Sequence, residues 1–202
     1  SMVMEARREG FKEIYIPLEN IAEGKLVKDI EVYPVTSLKQ LVLHLNGVQK
    51  IKPLPKENIL RNLDRAYDVD FSDVKGQPVA RRALEIAAAG GHSILMMGSP
   101  GCGKTMLARR LVTILPPVTE AEALEITKIY SIVNMLPNAE SVMVERPFRS
   151  PHHSVSASAL LGGGTYPRPG EVTLSHNGVL FLDELPEFER AALEMLRQPL
   201  ED

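Results

Sequence analysis

Gly98-Ser99-Pro100-Gly101-Cys102-Gly103-Lys104-Thr105 is the stretch that decides how the rest of this chain folds. It fits the pattern G-x-x-x-x-G-K-[ST], in which a glycine-rich loop holds phosphate groups. Residues 93–97 before it are apolar and of strand length, and residues 106–112 after it are rich in helix formers and contain no Gly or Pro. This context predicts the order strand, phosphate loop, helix.

The residues of this loop have the chemistry that nucleotide binding requires. Glycines allow backbone N–H groups to approach phosphate oxygens, and a helix that starts at the loop directs its positive end at the same anion. The Lys104 ammonium can reach the β- and γ-phosphates of ATP, and the Thr105 hydroxyl can ligate Mg²⁺. All residues from Gly98 to Thr105 are therefore candidates for nucleotide binding, with ATP and Mg²⁺ as the expected cofactors.

A second motif, at residues 179–184, supplies the groups for hydrolysis. Four apolar residues predict a buried strand, and Asp183 and Glu184 follow at its C-terminal end, where parallel sheets bind ligands. Asp183 can hold the Mg²⁺ shell through water, and Glu184 can polarise the water that attacks the γ-phosphate. Lys104 and Glu184 are therefore the predicted catalytic residues. The water activator also argues against a small-molecule kinase and against a non-hydrolysing scaffold.

Composition and charge limit the partners and the compartment. The net charge of −3 provides no global basic field, so contact with DNA would need a local patch or a face assembled from several subunits. The longest apolar runs are shorter than the ~20 residues of a membrane helix, and no secretory leader is evident. A single cysteine excludes a disulfide within the chain and suits a reducing compartment. We expect a cytoplasmic protein without a membrane partner.

The N-terminal part has its own pattern of elements. Residues 2–9 predict the end of a helix, the alternating residues 11–17 and 29–34 predict two strands, and Ser37 caps a helix over 38–45. Such a piece is too small to hold a core alone. The predicted domains are an α/β piece over 1–47, a proline-containing linker over 48–70 and a nucleotide-binding core over 71–202.

The sequence allows alternative structures for some segments of the nucleotide-binding part. A capping box at Thr119 opens a helix to about residue 132, predicted as an insertion on the core. The glycine- and proline-rich residues 162–170 form a connector or a projecting hairpin, where Tyr166 could stack on a base and Arg168 could bind a phosphate of DNA or contact a partner. Residues 171–178 are a strand with a turn, or a short helix.

The adjacent histidines His152 and His153 raise the question of a metal site. Neighbouring side chains of a strand point to opposite faces, and no cysteine or spaced third histidine completes a zinc site. We therefore expect a loop near the nucleotide or a subunit boundary rather than a zinc centre.

From about Phe71 onward the chain resembles AAA+ ATPases, and more narrowly the ComM branch of the magnesium-chelatase-like family. Residues 5–20 resemble the end of the proteolytic domain of Lon proteases, which would make residues 1–47 the C-terminal portion of a Lon-protease-like domain. We infer no protease activity, because the family's serine and lysine would precede this stretch. The motifs that carry the main resemblance are Gly98–Thr105, 146–153, 162–164, 167–171 and 176–188.

The resemblance implies a fold, an assembly and an activity. The fold is a P-loop parallel sheet flanked by helices, with Val74 and Gly76 near the adenine base and a hairpin that interrupts a helix around residues 162–169. The assembly is a ring, expected to be a hexamer, that moves DNA by branch migration in natural transformation. The alternative is a chelatase-like ATPase that remodels a protein partner. The family's sensor, arginine finger and lid would lie beyond Asp202, so we expect little hydrolysis by these residues alone.

Overall fold

The computed structural model describes residues 2–55, 67–136, 142–163 and 167–201. These residues form a mixed α/β structure of helices and short strand pairs, divided into two compact units. The first unit is Ser1–Asp64 with Glu120–Val144, and the second is Arg65–Thr119 with Glu145–Asp202. None of the helices in the described ranges combines the length and apolar character needed to cross a membrane.

Helices and short strands follow one another along the described part of the chain. The N-terminal elements are α1 (Met2–Arg8), β1 (Glu13–Pro17), α2 (Ile21–Leu26), β2 (Glu31–Val35), α3 (Leu38–Leu45), α4 (Pro78–Gly90), α5 (Lys104–Ile114) and α6 (Glu120–Ile132). The C-terminal elements are β3 (Phe148–Arg149), α7 (Ala157–Leu161), β4 (Gly162–Gly163), β5 (Arg168–Pro169), α8 (Glu171–Leu174), β6 (Val179–Leu180), α9 (Arg190–Met195) and α10 (Arg197–Glu201).

The first unit is built on the parallel pair of β1 and β2, which are in register from Glu13 opposite Glu31 to Pro17 opposite Val35. One face of this pair buries its apolar side chains against α1 and α6. The predicted helix, strands and capped helix of residues 2–45 are confirmed, with α2 as an additional short helix. The predicted linker 48–70 includes residues 56–66, which lie outside the described residues.

The position of α6 differs from the predicted insertion on the nucleotide-binding core. Its Leu124 belongs to the apolar core of the first unit, and the Glu120 carboxylate pairs with the Lys28 ammonium of the same unit. Thr127 is 1% exposed, and its hydroxyl donates to the Ala123 carbonyl at 2.6 Å. The capping box predicted the helix correctly but contained no information about which surface the helix would cover.

The second unit has an apolar core between α4 and α5. Pro78 occupies the first turn of α4, and Gly91 ends the helix in the left-handed conformation with φ of 63°. Pro at the start and Gly just past the end are the expected helix boundaries, because proline lacks the N–H that the first turn leaves unused and glycine tolerates positive φ. The buried residues of this core are Phe71, Val74, Leu84, Ala88, Leu107 and Leu111.

The strand predicted at 179–182 is confirmed in part, as the two-residue strand β6 in a parallel pair with β3. The Val179 N–H donates to the Pro147 carbonyl at 2.8 Å, and the Phe181 N–H donates to the Arg149 carbonyl at 2.8 Å. A Cβ atom on Gly178 would lie 2.1 Å from the Pro147 carbonyl oxygen, so only glycine permits this approach.

The strand predicted at 93–97 is not formed, and this prediction is wrong for the present structure. Leu95 is 69% exposed and Met97 is 87% exposed. Among the described residues, no segment pairs with 93–97, and a strand cannot form its ladder hydrogen bonds without a neighbour. The single parallel sheet of the predicted P-loop fold is therefore represented only by short strand pairs, and that fold remains a prediction.

Of the two predictions for residues 162–170, the structure shows the hairpin rather than the connector. β4 and β5 are antiparallel, with Gly162 opposite Pro169 and Gly163 opposite Arg168. A Cβ on Gly170 would lie 2.2 Å from the Gly162 backbone nitrogen, which explains the glycine there. The residues that follow form the helix α8 rather than a strand. Residues 164–166, including Tyr166, lie outside the described residues.

Leu84 offers a test of the core of the second unit. It is 1% exposed on α4, whereas Ile86 on the same helix is 51% exposed. We expect Leu84→Ala to lower the free energy of unfolding by about 2–5 kcal/mol, because it removes buried methyl groups and leaves a cavity. Ile86→Ala, the matched control, should change it by less than about 1 kcal/mol. Urea denaturation of both variants measures this; equal losses would show that α4 does not bury the Leu84 face.

Candidate functional site

The loop of residues 98–103 leads directly into the first turn of α5 (Lys104–Ile114). Gly101 and Gly103 have φ values of 77° and 89°, which a residue with a Cβ rarely adopts. Gly103 is also the N-cap of α5, and no side chain caps that end. The N–H groups at the start of α5 are therefore available to an anion held by the loop.

The Lys104 side chain folds back over this loop. Its ammonium donates to the Gly98 carbonyl at 2.9 Å and to the Ser99 carbonyl at 3.2 Å, and it lies 3.8 Å from the Cys102 sulfur. These neutral acceptors are weaker partners for an ammonium than a phosphate would be. The charge of Lys104 is thus already placed where the loop would hold a phosphate.

Thr105 and Asp183 join the two predicted motifs. The Thr105 hydroxyl donates to Asp183 Oδ2 at 2.8 Å, although the two residues are 78 positions apart in the chain. Both residues are half-buried. Hydroxyl and carboxylate oxygens are suitable ligands for Mg²⁺, which usually binds few protein groups and keeps several waters. Within the described residues no cluster of three His, Cys, Asp or Glu forms a metal site. The binding of Mg²⁺ by Thr105 and Asp183 remains a prediction.

Glu184 presents an accessible carboxylate next to this pair. Its backbone is left-handed, with φ of 53° and ψ of 46°, and its N–H donates to Asp183 Oδ1 at 3.0 Å. This conformation costs a non-glycine residue about 1–3 kcal/mol, and such strain is concentrated at functional sites. The side chain is 68% exposed, with Oε2 at 3.4 Å from His153 Nδ1. Water can therefore reach the carboxylate.

Two arginines on the β3 side of the site were noted in the sequence only as part of a family motif. The Arg149 guanidinium binds both carboxylate oxygens of Glu171, at 2.6 Å and 2.7 Å, and so ties β3 to the helix after the hairpin. The Arg146 guanidinium donates to the Asn177 carbonyl at 2.7 Å and fixes the turn before β6. Arg149 lies within β3 and Arg146 lies two residues before it, and the sequence contained no further signal for their contacts.

The segment predicted to lie near the adenine base adjoins the phosphate loop. Gly76 has φ of 69°. The side-chain amide of the next residue, Gln77, donates to the Cys102 carbonyl at 3.3 Å. Val74 is only 1% exposed and belongs to the apolar core of the second unit. Upstream, hydrogen bonds from the Ser72 hydroxyl and N–H hold the pKa of the Asp70 carboxyl below its usual value. The contact of Val74 and Gly76 with a base remains a prediction.

A cavity of about 590 Å³ lies beside the loop in the second unit. Residues of α4, the exposed apolar residues 94–97 and the start of the phosphate loop line it. Its lining also includes Gln77, Cys102 and Lys104. The loop therefore borders open space on this side.

The structure describes one of the two residues that were predicted to contact DNA or a partner. Arg168 is exposed on β5 of the hairpin. Tyr166 lies outside the described residues, so its predicted contact with DNA or a partner remains a prediction. His152 and His153 follow β3 in a loop, and His153 lies next to Glu184, a contact that the sequence did not predict beyond a position near the nucleotide.

A glycine loop that leads into a helix and contacts a carboxylate is the arrangement expected of a nucleotide-binding protein, and comparison with known proteins gives the family. Residues 70–202 match the family described as magnesium chelatase, subunit ChlI, and the chain belongs to this family. It is 48% identical to competence protein ComM of Haemophilus influenzae over 97% of this chain and 39% of the relative. It is 46% identical to YifB of Escherichia coli over 100% of this chain and 39% of the relative.

The chain thus spans about two-fifths of the length of these relatives. A weaker similarity, 24% identity, connects 88% of the chain to Lon protease 2 of Bacillus subtilis, covering 33% of that protein. This similarity extends over most of the chain and does not single out the N-terminal part. The Lon-like assignment of residues 1–47 therefore remains a prediction.

Proposed function

We propose that the full-length protein to which this chain belongs is an AAA+ ATPase that hydrolyses ATP with Mg²⁺. The observation that carries the proposal is the 2.8 Å hydrogen bond from the Thr105 hydroxyl to Asp183. It joins the phosphate loop to the carboxylates after β6, although these are separate in sequence. Membership of the magnesium chelatase family supports the same conclusion.

The residues would divide the work of hydrolysis between them. The N–H groups at the start of α5 and the Lys104 ammonium bind the β- and γ-phosphates and stabilise the charge that develops on them. Thr105 and Asp183 would hold Mg²⁺, which would supply positive charge to neutralise the phosphates. The Glu184 carboxylate accepts a proton from the attacking water. Its exposure leaves room for that water.

We propose DNA as the substrate on which this ATPase acts, by branch migration in natural transformation. Two observations support this choice: the name of the ComM relative, and the hairpin of β4 and β5, which presents the exposed Arg168. A ring of six subunits would place several copies of this hairpin around a strand. In this proposal the protein works in the cytoplasm, with residues 71–202 as the nucleotide-binding core and 48–70 as a linker.

The second candidate is an ATPase that remodels a protein partner. The family description, magnesium chelatase, and the net charge of −3 support this candidate. Phosphate release by the full-length protein, measured with and without branched DNA, separates the two. Stimulation by DNA supports the motor. A partner protein that stimulates turnover where DNA does not would favour the remodeller.

Arg168 tests the DNA part of the proposal separately. We expect Arg168→Ala to leave basal hydrolysis unchanged but to weaken DNA binding and reduce the salt dependence of binding by about one unit of slope, since one phosphate contact is lost. Arg190→Ala is the matched control, because Arg190 is a 91% exposed arginine of the same unit. Fluorescence anisotropy with labelled DNA at several salt concentrations measures this. Equal slopes in both variants would exclude a phosphate contact of Arg168.

A further inference from the structure

The parallel pairing of β3 and β6 brings two loops to the same edge. Arg149 lies opposite Leu180, so His153 and Glu184 each stand four residues beyond their member of this pair. Parallel strands carry the residues that follow them to the same end of the sheet. The contact between His153 Nδ1 and Glu184 Oε2, at 3.4 Å, is the result.

The His153 imidazole is held on two sides. The ring of His152 lies 4.0 Å away between centroids, and the ring of Phe188 meets it edge-on at 6.5 Å. Phe188 is 5% exposed and therefore fixed in the core. His152 is itself anchored, since its Nδ1 lies 2.8 Å from the Ser154 hydroxyl. His153 is thus restrained by packing, whereas Glu184 projects into solvent.

The contact between His153 and Glu184 is a loose one. The 3.4 Å separation of His153 Nδ1 and Glu184 Oε2 is longer than a charge-assisted hydrogen bond of about 2.7–2.9 Å. Such a contact can orient the carboxylate while it leaves the second oxygen and much of the negative charge available to a water molecule.

We propose that His153 is a positioning residue for Glu184. One oxygen of the carboxylate rests against the imidazole, so that the other faces the water that attacks the γ-phosphate. Without His153, the exposed Glu184 side chain occupies several rotamers, and only a fraction of them place the carboxylate where it can accept the proton. This inference rests on the proposed hydrolytic function, in which Glu184 activates the attacking water and His153 orients Glu184.

The test is steady-state ATP hydrolysis by the full-length protein. We expect His153→Ala to lower kcat by about 10- to 100-fold, the range that small misplacements of a catalytic group produce, and to leave the KM for ATP unchanged. His153→Asn should recover most of the rate, because an asparagine amide can place a donor near the position of Nδ1. His92→Ala, which removes an exposed histidine of the same unit, is the control and should behave as wild type.

A double-mutant cycle distinguishes positioning from general destabilisation. In a Glu184→Gln background, His153→Ala should cause no further loss of single-turnover rate, since the two residues act as a unit. An unchanged kcat in His153→Ala, or an equal loss in both backgrounds, overturns the inference but leaves the ATPase function intact. Absence of turnover in wild type, with no effect of Lys104→Ala on nucleotide binding, would overturn both.

Discussion

Replacing Lys104 with alanine is expected to abolish ATP hydrolysis by the full-length protein and to weaken ATP binding by about 100-fold, the cost typical of losing a charged donor to phosphate. The ammonium is already held in the loop by the Gly98 and Ser99 carbonyls, so a phosphate that enters finds its main cation in place. Alanine removes this charge and leaves the glycine backbone unchanged.

Calorimetric titration with ATP and a phosphate-release assay measure the two effects of Lys104→Ala. The matched control is Lys39→Ala, an exposed lysine on α3 in the first unit, which should bind and hydrolyse ATP as wild type does. If Lys104→Ala retains wild-type affinity and turnover, the loop of residues 98–105 is not the phosphate site.

Replacing Glu184 with glutamine is expected to separate binding from hydrolysis. The amide keeps the size of the side chain but cannot accept a proton from water, so the hydrolysis rate should fall by about 10²- to 10⁴-fold. ATP affinity should stay within about threefold of wild type, because the carboxylate is directed at water rather than at the nucleotide.

Single-turnover hydrolysis and ATP titration of Glu184→Gln give both values in one set of experiments. Glu187→Gln serves as the matched control, since Glu187 is an exposed carboxylate in the short helical turn that follows Glu184. Wild-type turnover in Glu184→Gln would show that another group activates the water. A parallel loss of affinity would place the carboxylate at the nucleotide instead.

The residues of the candidate site could be predicted from the sequence more directly than the structure around them. The roles proposed for Lys104, Thr105, Asp183 and Glu184 follow from local patterns, because a glycine loop before a helix and two carboxylates after an apolar strand have few other uses. Their proximity was implied only by the order of the motifs. The hydrogen bond between Thr105 and Asp183 is the structural observation that brings them together.

Features that depend on distant neighbours could not be predicted in the same way. Residues 93–97 have the composition of a strand, but a strand also requires a partner, and none of the described segments provides one. The helix α6 has a clear start signal, yet its Leu124 packs in the first unit, because an apolar face does not specify the surface it will cover. Residues 171–174 form a helix that follows a hairpin. The two ends of this hairpin meet through the close approach of Gly162 and Gly170.

The contact of His153 with Glu184 is a fourth case of this kind. It arises from the register of β3 and β6. Arg149 lies opposite Leu180, and His153 and Glu184 follow these two residues at the same distance along the chain. Adjacent histidines after a short strand indicated only a loop near the nucleotide or a subunit boundary. The pairing partner of that strand decides which side chain the histidine meets.

A high-resolution structure of the full-length protein with Mg²⁺ and a non-hydrolysable ATP analogue tests the central claim most directly. We predict that the loop of residues 98–105 surrounds the phosphates and that Mg²⁺ lies next to Thr105 and Asp183. The Lys104 ammonium should have left the Gly98 carbonyl, from which it now lies 2.9 Å, for a phosphate oxygen. A nucleotide bound elsewhere, with Lys104 still on the Gly98 carbonyl, would contradict the claim.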